Sequence, residues 1–172
     1  MKKVLTLAII AIITLTVGKV SAQSFKFGHI NYQEVMQAMP EVDSAQKKLT
    51  AYEQDMQEIM KEMQEEIQRK STEMEEKQST WSDAIKNAKQ RDLADLYRRW
   101  QEYAQSSEQQ LQQEWQKLFQ PIMTKARNAV NKVAKSGGYT YIFDLSNNVV
   151  VDWNEAQSTD IAPLVKKELN IK

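Results

Sequence analysis

Residues 41–81 read EVDSAQKKLTAYEQDMQEIMKEMQEEIQRKSTEMEEKQSTW. Glutamate, glutamine, lysine, methionine, alanine and leucine dominate, and all are good helix formers. Apolar side chains recur at Val42, Ala45, Leu49, Tyr52, Met56, Met60, Met63, Ile67, Met74 and Trp81, in steps of 3, 4, 3, 4, 4, 3, 4, 7 and 7. That spacing is a coiled-coil seam with one stutter near Met60. A seam needs a second helix to cover it, and the following residues supply one. No glycine falls between residues 41 and 136, the one proline inside that stretch is Pro121, and a second stripe runs Leu93, Leu96, Trp100, Tyr103, Leu111, Trp115, Leu118, Ile122.

The stripe thins between the two runs, where Trp81-Ser82-Asp83 and residues 87–92 are polar. The reading is therefore a helical hairpin over 41–121 with its turn within 81–92. Each arm is then about 60 Å long at 1.5 Å per residue. Charge divides between the arms. Residues 41–81 carry 11 acidic and 6 basic side chains, whereas 82–136 carry 6 and 10. Antiparallel pairing brings these opposite fields together, though each exposed pair contributes little stability. Pro121 removes a helix amide donor and clashes with the carbonyl of Lys117, so a kink is expected there, nearly opposite Pro40.

Outside the hairpin the chain changes character. Phe25 to Ile30 alternates as a strand does, Tyr32 to Met39 suits a short helix, and Gly137-Gly138 ends the long one. Tyr139–Leu145 and Val149–Trp153 read as strands around a Ser146-Asn147-Asn148 turn. Thr159-Asp160 caps a last helix over 161–169, with Pro163 in its first turn. Residues 23–40 and 122–172 thus form a small β-containing body, and the fold class is mainly α. A body of this size has a marginal core, and three strands leave open edges. Both arguments point to oligomerisation through the body. The candidate residues are Phe27, Ile30, Tyr141, Phe143, Val149 and Val151.

The first 22 residues stand apart. Met1-Lys2-Lys3, an apolar run from Val4 to Val17 and the small residues Ser21-Ala22 make a secretory signal peptide, cut after Ala22. Its loss removes Lys2, Lys3 and Lys19, leaving 20 basic against 23 acidic side chains, a net charge of −3. With no cysteine and one histidine in the whole chain, disulfides, thiolate metal sites and cysteine nucleophiles are excluded, and no His-based site is expected. There is no Gly-rich phosphate loop and no bulk basic charge, so neither nucleotide nor nucleic acid is an expected partner. The reading is a non-enzyme without cofactor or metal, exported to a bacterial periplasm.

In that setting the chain resembles the Skp/OmpH-like periplasmic chaperones. Phe27-Gly28-His29-Ile30-Asn31 is similar to the family's first strand, and Val35 through Glu41 to its V-L-x-x-M-P-E segment. Leu118-Phe119-Gln120-Pro121-Ile122 and Ala129 through Ala134 resemble its return helix. Gly138 through Asp144 resembles the strand after it, and Thr159-Asp160-Ile161 the opening of the last helix. The resemblance implies a trimer whose arms surround a cavity and hold unfolded outer-membrane β-barrel proteins without ATP. Familiar members are strongly basic and this mature chain is not, which moves the expected capture from charge toward apolar contact.

The candidate client-binding residues are Met60, Ile67, Met74 and Trp81 on the first arm and Trp100, Tyr103 and Trp115 on the second. Flexible, polarizable methionine suits an adaptable surface, although the same residues also serve as seam. Lys86, Lys89, Arg91, Arg98 and Arg99 make the turn end basic. They offer transient contact to anionic lipid headgroups or remain a solvated surface. The alternative to a holdase is a structural coiled-coil spacer or adaptor of an envelope assembly. A spacer would be packed tightly to the tip against one fixed partner, whereas a holdase has imperfect arms with apolar residues left facing a cavity.

Overall fold

The computed structural model describes residues 25–147 and 149–171. Segment 1–22, expected to be a signal peptide, lies outside them. The elements are β1 (Phe27–Ile30), α1 (Tyr32–Gln37), α2 (Pro40–Lys77), α3 (Asp83–Gly137), β2 (Tyr141–Asp144), β3 (Ser158–Asp160) and α4 (Ala162–Glu168). The fold is mainly helical, with α2 and α3 packed as a hairpin beside a three-stranded sheet.

The sheet is parallel, in the order β2-β1-β3. Parallel neighbours cannot be joined by a tight turn and need a long crossover. Between β1 and β2 that crossover is the whole hairpin, which is why both ends of the chain meet in one body. Phe27 pairs with Tyr141 and His29 with Phe143 on one side of β1, and His29 with Asp160 on the other. Backbone bonds from Thr140 to Lys26 (2.8 Å), Leu145 to Ile30 (2.9 Å) and Ile161 to His29 (3.0 Å) lengthen the ladder.

The inner face of the sheet packs on the lower ends of α2 and α3 and on the two short helices. Val35, Met39, Ile161 and Val165 are fully buried there, joined by Ile30, Phe119, Ala126 and Ala129. Small residues on α3 let it approach closely. The core reaches Ala45 and Phe119, so each arm is rooted about one turn into the body. Asn31 caps α1 by accepting from the Glu34 amide at 3.1 Å, and Asp160 accepts from Ala162 N–H at 2.9 Å to start α4. Gly138 closes α3 in the left-handed conformation at φ 64° and donates to Ala134 and Lys135, the usual helix-ending geometry for glycine.

Two local expectations are corrected. The break between the arms falls at residues 78–82, so the polar stretch 83–92 is helix. Ser79 and Thr80 interrupt the run of strong helix formers, and the Thr80 hydroxyl donates to Lys77 O at 2.8 Å, a local bond that competes with helix. Second, Val149–Trp153 forms no strand in the single chain, where the third strand is the polar Ser158–Asp160. The helix α3 runs on through Pro121, which lies inside it. Pro121 is exposed, and one turn further on Lys125 pairs with Glu41, beside Pro40. The two prolines mark the level where the hairpin leaves the body.

The loop after β2 is held by one carboxylate. Asp144 accepts from Ser146 N–H (2.9 Å), Ser146 O–H (2.8 Å) and Tyr32 N–H (3.2 Å). Burial pushes its pKa up, but these three bonds together bring it below the ordinary value of 3.8. A depressed carboxylate stabilises the fold above its unfolded-state pKa, and that contribution is lost as pH falls through the folded value. Asp144→Ala should therefore cost about 1 kcal/mol at pH 7, a modest figure because solvent reaches the site. Urea melts of the two proteins should begin to draw together as pH falls below about 4, near the unfolded value, and converge only once pH lies below the depressed folded value. A difference that persisted at lower pH would mean the bonds do not depend on the charge.

Candidate functional site: the arms and an aromatic sheet face

Cross-arm contacts fix the register of the hairpin. Lys89 pairs with Glu73 at 3.4 Å near the tip, Tyr52 O–H donates to Gln110 at 3.4 Å midway, and Lys125 meets Glu41 at the base. Ile67 therefore stands level with Leu96, Met63 with Trp100 and Met60 with Tyr103. Among the described residues the two ion pairs Lys89–Glu73 and Lys125–Glu41 bridge α2 and α3, and most others lie three or four residues apart on one helix. The division of charge between the arms acts chiefly as a field.

The seven candidate arm residues fall into different environments. Ile67 is buried in the seam together with Met56 and Leu96. Met60, Met74, Trp81, Trp100 and Tyr103 are half-buried at its margins. Trp81 lies at the turn, with the Lys89 ammonium 5.6 Å from its ring centre. Trp115 is exposed but sits toward the base, stacked on Phe119 at 5.2 Å. The seam is thus shared by some of these residues, and no one surface collects all seven.

Sequence reasoning missed three others. Ile59, Ile85 and Tyr97 are large apolar side chains between 43% and 46% exposed, spread along both arms. None belongs to the apolar stripe. The signal was present in the sequence as apolar residues out of register with the seam, which a coiled coil has no reason to place there.

The body carries a second, denser apolar surface. Alternation along the strands sends Gly28 and Ile30 inward and Phe27 and His29 outward. Phe27 stacks on Tyr141 at 6.4 Å and lies 6.3 Å from Phe143, and Phe25 continues the row at 6.4 Å. Tyr141 is 61% exposed and Phe143 43%. Val149 and Val151, on the loop beyond, are almost fully exposed. Ile30, grouped with these residues from sequence, instead belongs to the core of its own chain, because it occupies the opposite phase of the strand. Among the described residues the outer edge of β2 has no strand partner.

The one histidine lies on this outer face. Its Nδ1 is 2.9 Å from Ser158 Oγ, and its ring lies 5.4 Å from Trp153. Among the described residues no group of three His, Cys, Asp or Glu side chains is arranged to hold a metal, and no helix is long and apolar enough to cross a membrane.

A parallel sheet whose crossover is a long helical hairpin is thus combined with two exposed apolar surfaces, and the family comparison covers both. The family described as "Outer membrane protein (OmpH-like)" matches residues 26–169. The chain belongs to the OmpH-like (Skp) family of outer membrane protein chaperones. This OmpH-like match takes in β1, the whole hairpin and the return through β2 and β3 into α4. The family is non-enzymatic. A crystal structure of an OmpH-like protein from Caulobacter crescentus CB15 is similar, with a TM-score of 0.72 at 13% identity, covering 89% of this chain and 88% of that one. At that identity the likeness speaks for the fold alone. No curated protein matches the sequence.

Proposed function

We propose that this chain is an ATP-independent periplasmic holdase, a homotrimer joined by its sheet face, that keeps unfolded outer-membrane β-barrel proteins from aggregating. The observation that carries the reading is the pairing of one concentrated aromatic face on the body with scattered apolar side chains on the arms. A concentrated patch suits one fixed, complementary partner, here other copies of the same chain. Dispersed Ile59, Ile85 and Tyr97 suit many weak contacts with a client that has no fixed shape.

The unpaired edge of β2 and the exposed segment Val149–Trp153 fit the same assembly. A neighbouring copy supplies the strand partner each lacks, and closure around a threefold axis removes the open edges. The arms then project from one base, and Pro121, at the level where they leave it, sets their splay. Export by a signal peptide cut after Ala22 delivers the chain to the periplasm. The spacer alternative is disfavoured by the off-stripe residues, since a packed rod gains nothing from them.

The decisive experiment dilutes a urea-unfolded β-barrel protein into buffer with the mature chain and no nucleotide. Light scattering should be suppressed once trimer and client are equimolar. Unchanged aggregation at a several-fold excess of trimer would overturn the proposal.

A further inference from the structure

Methionine is the only sulfur-containing residue type in this chain, which lacks cysteine. Its thioethers are the side chains most open to two-electron oxidants, and their burial differs sharply. Met39 is 1% exposed in the body core and Met56 8% exposed in the seam. Met60 and Met63 are half-buried at the seam's edge, and Met60 lines an open cleft of about 390 Å³ opposite Ser107 and Leu111. At the same height a second anomaly appears. The indole Nε1 of Trp100 is buried and has no hydrogen-bond partner among the described residues, a costly state for a polar group. The cross-arm register puts Met63 level with Trp100 and Met60 one turn from it.

A thioether sulfur is a weak acceptor, whereas a sulfoxide oxygen is polar and a good one. We propose that Met60 and Met63 form a reversible oxidation site in the arm, in which a sulfoxide oxygen accepts the unpaired indole N–H of Trp100. The oxidant is a hypohalous acid. With hypochlorous acid the sulfur loses two electrons and gains one oxygen, and chlorine is reduced to chloride with release of one proton. A methionine sulfoxide reductase reverses the step with two electrons and two protons, releasing water. In an ordinary seam the new polar oxygen would lack a partner and drive the helices apart. Here the waiting donor accommodates it, so the arm stays paired while oxidised. No client enters this argument, so it stands or falls separately from the chaperone reading.

The test treats the mature chain with limiting hypochlorous acid and follows oxygen uptake by peptide mass mapping and helix melting by circular dichroism. Met60 and Met63 should gain oxygen well before Met39 and Met56. Trp100→Phe keeps the ring and deletes the N–H. Oxidation should lower its melting midpoint by roughly 2–4 °C more than it lowers that of the wild type. In the wild type the indole N–H proton resonance that Trp100→Phe identifies should move downfield on oxidation and return with the reductase. It should stay put in the Met60→Leu, Met63→Leu double variant. Equal melting shifts in wild type and Trp100→Phe, or an unmoved resonance in oxidised wild type, would overturn the proposal. If Trp100→Phe fails to fold, the Trp100 indole resonance is assigned through its backbone by triple-resonance spectra of the labelled wild type, and its movement in the wild type and in the double variant decides alone.

Discussion

A chain carrying Tyr141→Ser and Phe143→Ser should sediment as a folded monomer at concentrations where the parent is a trimer. Both rings are substantially exposed in the single chain, so their loss removes little of its own core. In the proposed assembly they are buried between copies, and because each ring is already partly covered, burying the rest contributes about 1–2 kcal/mol. A trimer holds six such side chains, so the assembly constant should fall by many orders of magnitude. Helical circular dichroism separates this outcome from misfolding. The complementary deletion removes residues 50–112 and joins the ends by a short turn. The cross-arm register places Thr50 and Gln112 at one level, so the shortened arms can still pair. That variant should remain trimeric, because the aromatic face is untouched. A trimeric double-serine variant would move the interface away from the sheet, and a monomeric arm deletion would move it onto the hairpin.

How far the sequence disclosed this arrangement depends on whether each element's partner lies within the chain. The hairpin was legible because its two stripes are mutually complementary, and every seam residue is explained by another seam residue. β1 and β2 were legible by alternation and aromatic content, and α1 by its place between the first strand and Pro40. β3 was not. Ser158-Thr159-Asp160 has no strong strand preference, and its conformation is dictated by pairing with Phe27 through His29. The reverse error occurred at Val149–Trp153, whose branched residues favour a strand but find no edge within the single chain. Strand propensity reports fitness for a pleated, half-buried surface, and such a surface has to be supplied. A turn within 81–92 is expected because that stretch holds few apolar side chains, yet 83–92 forms the first, largely solvated turns of α3. Ile59, Ile85 and Tyr97 are hidden from a stripe-based reading because they lie out of register with both seams.

Client retention should depend on those off-stripe residues more than on the basic ones beside them. Arg98 lies within 3.3 Å of Asp95 and 3.1 Å of Glu102, and these hydrogen bonds raise its pKa. Its charge is largely answered on its own helix, so little of it reaches a client. Ile59, Ile85 and Tyr97 have no such local partner, and covering each with a client's apolar chain contributes roughly 1 kcal/mol, since they are already partly covered. In the proposed trimer three arms repeat the set, and each engaged arm raises the effective concentration for the next. Replacing the three residues together with Ser should weaken client affinity about 10- to 100-fold, equivalent to about 1.4–2.8 kcal/mol. Arg98→Gln with Arg99→Gln should change it less than about threefold, as expected for exposed charges. Salt provides an independent check. The Debye length shrinks from about 10 Å at 0.1 M to about 3 Å at 1 M, which removes most exposed charge contacts. Affinity at 1 M sodium chloride should fall by less than about tenfold, with slower association accounting for much of the change. Fluorescence titration of a labelled unfolded β-barrel protein, with stopped-flow mixing for the rates, measures both quantities. Binding that salt abolishes, or an arginine pair that matters more than the isoleucine and tyrosine set, would make this an electrostatic chaperone despite a net charge of zero for the whole chain.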